Sequence, residues 1–145
     1  MSSYTKKNGD IGEWVLITEF MKNDITVLKP IGDNDSFDFV IMINNKFLKV
    51  QVKTTEYIKN NCMVFCTNIT NPFKKSTRKY TEEEVDLFGL YCVENNYIGL
   101  LSFDDYTSKE TIIRIKAPKN NQVNNVKMMN DYLFDVQLKK IIKNN

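Results

Sequence analysis

Two β-rich apolar runs flank Asn44-Asn45 in the stretch Ser36 to Thr55, SFDFVIMINNKFLKVQVKTT. This pattern predicts a β-hairpin, and asparagine tolerates the positive φ that a type I′ turn demands. With the two asparagines at the centre of the turn, Ile43 faces Lys46 and Asp38 falls opposite Gln51, with Cβ atoms about 5 Å apart. Lys53, two residues further on, returns to the same face. Asp38, Gln51 and Lys53 therefore converge. The opposite face collects Phe37, Phe39, Ile41, Ile43, Leu48, Val50 and Val52, a core face. A one-residue slip would drive Asp38 and Lys53 into that core, so the apolar pattern sets the register. Val40, Met42 and Phe47 continue the polar face away from the trio, so both faces are expected to be covered.

The remaining pattern surrounds this hairpin with short elements. Asn8 to Lys22 predicts a first helix, capped by Asp10, with Ile11, Trp14, Val15 and Thr18 as its apolar stripe. Thr26 to Leu28 reads as a strand, followed by Pro30 and a Gly32-Asp33-Asn34-Asp35 loop whose acids are solvated. Cys62 to Asn68, Asp86 to Cys92, Tyr97 to Phe103 and Thr111 to Ile115 read as further strands. Thr81 to Glu84 reads as a short capped helical turn. Val126 to Tyr132 and Val136 to Ile142 look helical, the second with a stripe of Val136, Leu138 and Ile141-Ile142. Strands and hairpins after one helix, with helices at the end, predict a mixed α/β layer fold, and 145 residues suit a single domain spanning 1–145.

Composition narrows the setting more than the chemistry. The formal charge is +2 with 20 basic residues, of which only Arg78 and Arg114 are arginine. A near-neutral total decides nothing about nucleic acid, because the distribution of charge on the folded surface governs binding. No run approaches the ~18 apolar residues of a membrane span, and MSSYTKKNGD lacks the apolar core of a signal peptide. An intracellular protein is expected, cytoplasmic or wherever its substrate lies, with no membrane partner. Three cysteines without paired metal spacing fit a reducing compartment, with Cys62 and Cys66 acting as small hydrophobes on a strand. The absence of histidine removes His-based triads and His general bases.

Polar groups inside a covered sheet need a reason, and metal-assisted phosphodiester hydrolysis supplies one. Hard divalent cations take carboxylate and carbonyl oxygens. Asp38 offers a carboxylate and Gln51 a neutral amide oxygen, while a half-buried lysine beside an attacking water can orient it or lose its proton more easily. One carboxylate would hold a metal weakly, so a further acid is expected from elsewhere in the chain. On residues alone, Glu13 reads first as a solvated acid in the opening turn of the helix, where the dipole favours a carboxylate. Among basic residues, Lys74, Lys75, Arg78 and Lys79 follow the breaker Asn71-Pro72 and place four cations in six positions. Such a cluster suits phosphate contacts or simply a solvated loop.

Asp38 followed on the next strand by Gln51-Val52-Lys53 resembles the PD-(D/E)XK nucleases, with Phe37 where that family's pattern has proline and Gln51 replacing the second carboxylate. In these nucleases an acid on the first helix often reaches the metal, usually in a Gly-Glu pattern, which Gly12-Glu13 matches; Glu19 ranks below it. The resemblance implies catalytic roles for Glu13, Asp38, Gln51 and Lys53, with Mg²⁺ or Mn²⁺ held by Glu13, Asp38 and Gln51, in a restriction-endonuclease-like core of central mixed β-sheet flanked by helices.

A narrower set of motifs runs through the chain in order: Gly9-Asp10-Ile11-Gly12-Glu13, Val27-Leu28-Lys29-Pro30, Asp38, Val50-Gln51-Val52-Lys53-Thr54, Tyr80-Thr81 with Val85-Asp86-Leu87-Phe88, Tyr91, and Arg114 to Gln122. Together these look like the small PD-(D/E)XK endonucleases associated with group I introns, where the Gln-x-Lys variant occurs. The resemblance implies site-specific cleavage of double-stranded DNA by a homo-oligomer, a dimer or a tetramer. Lys119, Asn120, Asn121 and Gln122 are suited to DNA contacts. A Holliday-junction resolvase and a DNA-binding module without catalysis are the competing expectations, Gln51 favouring the second. Gly89 and Tyr91 with Tyr97 and Gly99 echo the GIY-YIG nucleases, but the spacing is short and no arginine follows on a helix.

Overall fold

The computed structural model describes residues 3–71, 73–107 and 109–145; Pro72, read above as a breaker, lies outside them. The hairpin forms as expected. Strand β2 (Phe39–Ile43) and strand β3 (Lys46–Thr55) pair with Ile43 against Lys46 and Phe39 against Val50, and Asn44 and Asn45 have φ of 50° and 65°. Both turn residues thus occupy the left-handed region.

This hairpin is the middle of a five-stranded sheet. Strand β1 (Thr26–Leu28) borders β2, strand β7 (Leu87–Cys92) runs parallel to β3, and strand β8 (Tyr97–Ser102) closes the far edge. Between β3 and β7 the chain passes through strand β4 (Cys62–Cys66) and a short ribbon, β5 (Ile69–Asn71) with β6 (Ser76–Arg78). β4 pairs with strand β9 (Glu110–Arg114), and β9 with strand β10 (Lys127–Met128), to form a second sheet of three strands. Helix α1 (Ser3–Lys22) and helix α2 (Phe134–Asn144) supply Leu16, Ile17, Phe20, Phe134, Leu138 and Ile141 to a core with Phe39, Ile41, Val50 and Val52. On the other face, Met63, Phe65 and Ile113 of the second sheet pack on Phe88, Leu90 and Leu101. The central mixed sheet lies between a helical layer and this small sheet, which is the fold class expected.

Several local expectations are corrected. Helix α1 begins at Ser3, so Asp10 lies inside it and does not cap it. Its buried stripe is Leu16, Ile17 and Phe20, whereas Ile11 is 41% exposed and Trp14 58%. The helix is apolar on two sides, and the side that wins is the one where Phe20 meets Phe39 and Phe134 edge-on, at centroid distances of 5.9 and 4.9 Å. Residues 126–132 form β10 and a 3₁₀ turn (Met129–Asp131) in place of a helix. Thr81 to Glu84 is a hydrogen-bonded turn in which the Glu84 carboxylate accepts from the Thr81 amide and hydroxyl, both at 3.1 Å. The second sheet covers only part of the hairpin's polar face, leaving Met42 and Phe47 open to solvent, and Phe37 is only half-buried.

Candidate active site

Asp38 stands one residue ahead of β2. Its amide donates to the Val50 carbonyl at 2.8 Å, and its carboxylate Oδ2 accepts from the Val52 amide at 2.8 Å. The side chain thus takes a ladder position that main chain would otherwise fill, and this fixes the carboxylate at the sheet's end. Burial, then the nearby Glu13, push its pKa up to about 6, against the lowering influence of the Val52 amide, Lys53 and Lys29.

Gln51 and Lys53 leave β3 on the face away from α1, beside Phe88 and Leu90 of β7. The Lys53 ammonium donates to the Tyr80 phenol oxygen at 2.9 Å. Burial lowers its basicity; Cys66 and Asp38 oppose that. Tyr80 is 7% exposed, its phenol pushed far up by burial, so it holds Lys53 as a neutral hydroxyl. The role of Tyr80 was not read from the sequence, although Tyr80-Thr81 lay among the resembling motifs.

Glu13 reaches the same place from α1. The approach depends on Gly12, where an added Cβ would stand 2.1 Å from Thr54 Oγ1 and 3.4 Å from the Tyr91 ring. Lys29, at the end of β1, forms an ion pair with Glu13 and lies over the Trp14 ring. Glu13, Asp38, Gln51 and Lys53 all line one cleft of about 710 Å³, whose opposite wall is the Cys62, Val64 and Cys66 face of β4. The two thiols lie on a strand, as expected, and border the cleft, but Cys66 is exposed and Cys62 half-exposed, so neither packs as a buried hydrophobe. Lys6 and Lys59 also line the cleft, and the sequence reading missed both. Lys6 sits seven residues before Glu13, on the same side of the helix once its start is placed at Ser3.

Among the described residues no three His, Cys, Asp or Glu side chains stand within reach of one ion. The donor set in the cleft is two carboxylates, Asp38 and Glu13, with the Gln51 amide. These oxygen donors suit a hard divalent cation.

The basic cluster divides. Lys74 and Lys75 lie exposed at the turn between β5 and β6. Arg78 grips Glu84 with two hydrogen bonds, 2.7 and 3.0 Å, and holds Glu84 down to about 2, while Lys79 donates to the Thr107 carbonyl at 2.9 Å. Lys119, Asn120, Asn121 and Gln122 are exposed in the loop after β9, away from the cleft. The Asn120 side chain accepts from the Gln122 amide, and the Gln122 side chain donates to the Asn124 carbonyl, both at 3.1 Å. The ribbon leaves the Cys66 end of β4, and this loop leaves β9 beside the Cys62 end. Gly89, Tyr91, Tyr97 and Gly99 are buried in β7 and β8; the Tyr91 hydroxyl donates to Asn96 and the Tyr97 hydroxyl to the Tyr132 carbonyl, so the GIY-YIG echo is core packing.

An acid at the sheet end, a Gln-x-Lys strand beside it and a glutamate from the first helix thus face one cleft. The family model of the PD-(D/E)XK endonucleases matches residues 3–135, and the chain belongs to that family. Its fold is shared with the bacterial homing endonuclease I-Ssp6803I, at a TM-score of 0.74 and 22% identity over 99% of this chain and 95% of that one. No curated protein sequence matches.

Proposed function

We propose that the chain is a single nuclease domain, 1–145, that hydrolyses phosphodiester bonds in double-stranded DNA with Mg²⁺, or Mn²⁺ in its place, and cuts at specific sites in the manner of a homing endonuclease. The observation that carries this reading is the convergence of Glu13, Asp38, Gln51 and Lys53, from three separate segments, in one cleft. Glu13, Asp38 and Gln51 would hold the cation. When bound, that cation polarises a phosphoryl oxygen and lowers the pKa of water. Lys53, fixed by Tyr80, orients the attacking water from the other side and meets the charge developing on the phosphate. The Val52 amide keeps the Asp38 carboxylate aimed into the cleft. Lys29, now on Glu13, would turn to phosphate as substrate arrives and leave the Glu13 carboxylate free for the cation.

Lys74, Lys75, Arg78 and Lys79 supply backbone contacts and Lys119, Asn120, Asn121 and Gln122 further contacts, at opposite ends of the β4–β9 ladder. Two strands of opposite polarity call for two clefts, so the working unit is a homo-oligomer, dimer or tetramer, acting inside the cell on its DNA. In the described residues no helix is long and apolar enough to cross a membrane.

The test is a plasmid library with random inserts, incubated with Mg²⁺ or Mn²⁺ and with wild type or Asp38→Ala. Cleavage lost in the variant supports the nuclease; cleavage retained at the wild-type rate sinks it. The missing charge at Gln51 favours a second reading, a DNA-binding module without catalysis. That reading predicts DNA retention and no cleavage by wild type on linear and branched substrates alike, whereas cleavage confined to branched junctions would point to a resolvase.

A further inference from the structure

The β5–β6 ribbon contributes little to the core. Only Ile69 packs inward, while Thr70, Asn71, Ser76, Thr77 and Arg78 are exposed. An isolated two-stranded ribbon is marginal in water, and this one is fastened at its base by the Arg78–Glu84 pair and by Lys79 on the Thr107 carbonyl. At its far end Phe73 is 96% exposed, beside Lys74 and Lys75. The tip is ordered locally: the Asn71 side-chain oxygen accepts from the amides of Phe73 at 3.0 Å and Lys74 at 3.2 Å. A large aromatic ring held out on a cationic tip has no partner in its own chain's core, and the charge around it selects a polyanion.

We propose that Phe73 is a wedge that inserts between base pairs of bound DNA, unstacking one step while Lys74 and Lys75 hold the flanking phosphates. The inference rests on the reading of this chain as a DNA nuclease and adds to it an element of recognition by deformation. Grooves of B-DNA admit a two-stranded ribbon, and apolar wedges on such arms kink the duplex. Tyr80, two residues beyond β6, bonds Lys53, so the ribbon's base sits at the catalytic lysine. Three residues of strand reach about 10 Å, roughly three base pairs along the helix axis. The wedge therefore enters a few base pairs from the phosphate in the cleft. Pyrimidine–purine steps unstack most easily, and they are the steps this device selects without reading a base edge.

The experiment uses relaxed closed-circular plasmid with a topoisomerase that needs no divalent cation, in EDTA and low salt, alongside gel retardation of the same DNA. Wild type is expected to retard the plasmid and, after protein removal, to leave a linking number displaced in the direction of unwinding. Phe73→Ala is expected to retain retardation within a few-fold and to lose the displacement; Phe73→Leu, still an apolar wedge, keeps it. Retardation by wild type without displacement overturns the wedge, as does an equal displacement by Phe73→Ala. A change of sedimentation mass in Phe73→Ala with unwinding intact would make the tip a protein contact and likewise overturn it. Failure of wild type to retain DNA at all is a different result, which removes the DNA reading and the wedge with it.

Discussion

Asp38 carries a stability signature that can be read without any substrate. Its folded pKa of about 6 stands above the 3.8 of the free side chain. Between those values the folded state binds a proton that the unfolded chain does not, so this group stabilises the fold at low pH and loses that contribution as pH rises through about 6. Above that, the folded protein bears the cost of a half-buried charge. In metal-free buffer, Asp38→Asn keeps an acceptor for the Val52 amide and removes the charge, so it should raise unfolding free energy by about 1–3 kcal/mol at pH 7.5 and by far less near pH 4. Urea titrations at the two pH values check this, and a pH-independent difference would mean that Asp38 ionises freely. Lys53→Ala should abolish cleavage with DNA retention preserved, and Tyr80→Phe, which keeps the ring on Phe88 at 5.3 Å, should slow cleavage about tenfold through loss of one charge-assisted hydrogen bond. Single-turnover rates and binding isotherms separate the two effects. The convergence of Asp38, Gln51 and Lys53 was legible because a two-residue turn and a two-residue period fix every partner across a hairpin. Tyr80 was not, since its contact with Lys53 joins positions 27 residues apart through folding of the second sheet, which no local period encodes.

Helix α1 shows what a close approach requires at the scale of an element. Gly12 lets the helix backbone settle on Thr54, whose hydroxyl oxygen is buried without a hydrogen-bond partner among the described residues. Gly12→Ala would normally favour a helix by about 1 kcal/mol, but here the methyl group meets Thr54 Oγ1. The net effect should be a loss of about 1–3 kcal/mol from overpacking, with Glu13 carried away from Asp38. Pairing it with Thr54→Ala tests the cause, because the smaller partner should restore stability, and no restoration would place the strain elsewhere. The choice of buried face on α1 was not legible: Ile11, Trp14 and Thr18 recur at helical spacing as well as Leu16 and Phe20 do, and only tertiary fit decides. The ribbon escaped detection for another reason. Its strands are three residues long and, Ile69 apart, polar, so they leave no alternation to read, and the cationic cluster was all that marked them. Replacing Lys74 and Lys75 together with alanine should lower DNA affinity and reduce the slope of log affinity against log salt by about 2; an unchanged slope would show that the tip does not meet phosphates.

The chain gathers Glu13, Asp38, Gln51 and Lys53 in a single cleft, and a duplex presents two strands related by a two-fold axis. A double-strand cut therefore favours a pair of chains with the same symmetry. The surface carries apolar faces that the chain's own fold leaves uncovered: Ile11, Trp14 at 58% and Met21 at 61% on the outer side of α1, and Leu28, Met42 and Phe47 at 61% near the β1 edge. Contiguous apolar area of this kind is uncommon on monomers that stay monomeric. Burying one such side chain contributes about 1.5–3 kcal/mol. A glutamate in its place would leave a charge in the contact, so the variant at the true interface should weaken association about a hundredfold or more. Sedimentation equilibrium of wild type should give at least twice the chain mass, with Trp14→Glu or Phe47→Glu returning it to one while circular dichroism is unchanged. The variant that dissociates identifies the face, and if α1 is that face, Glu13 of each cleft lies one residue from the contact, so assembly and the cleft share a helix. A wild-type protein that sediments as a single chain at every concentration would leave double-strand cleavage to two independent nicks, and the library assay would then show nicked circles accumulating before linear product.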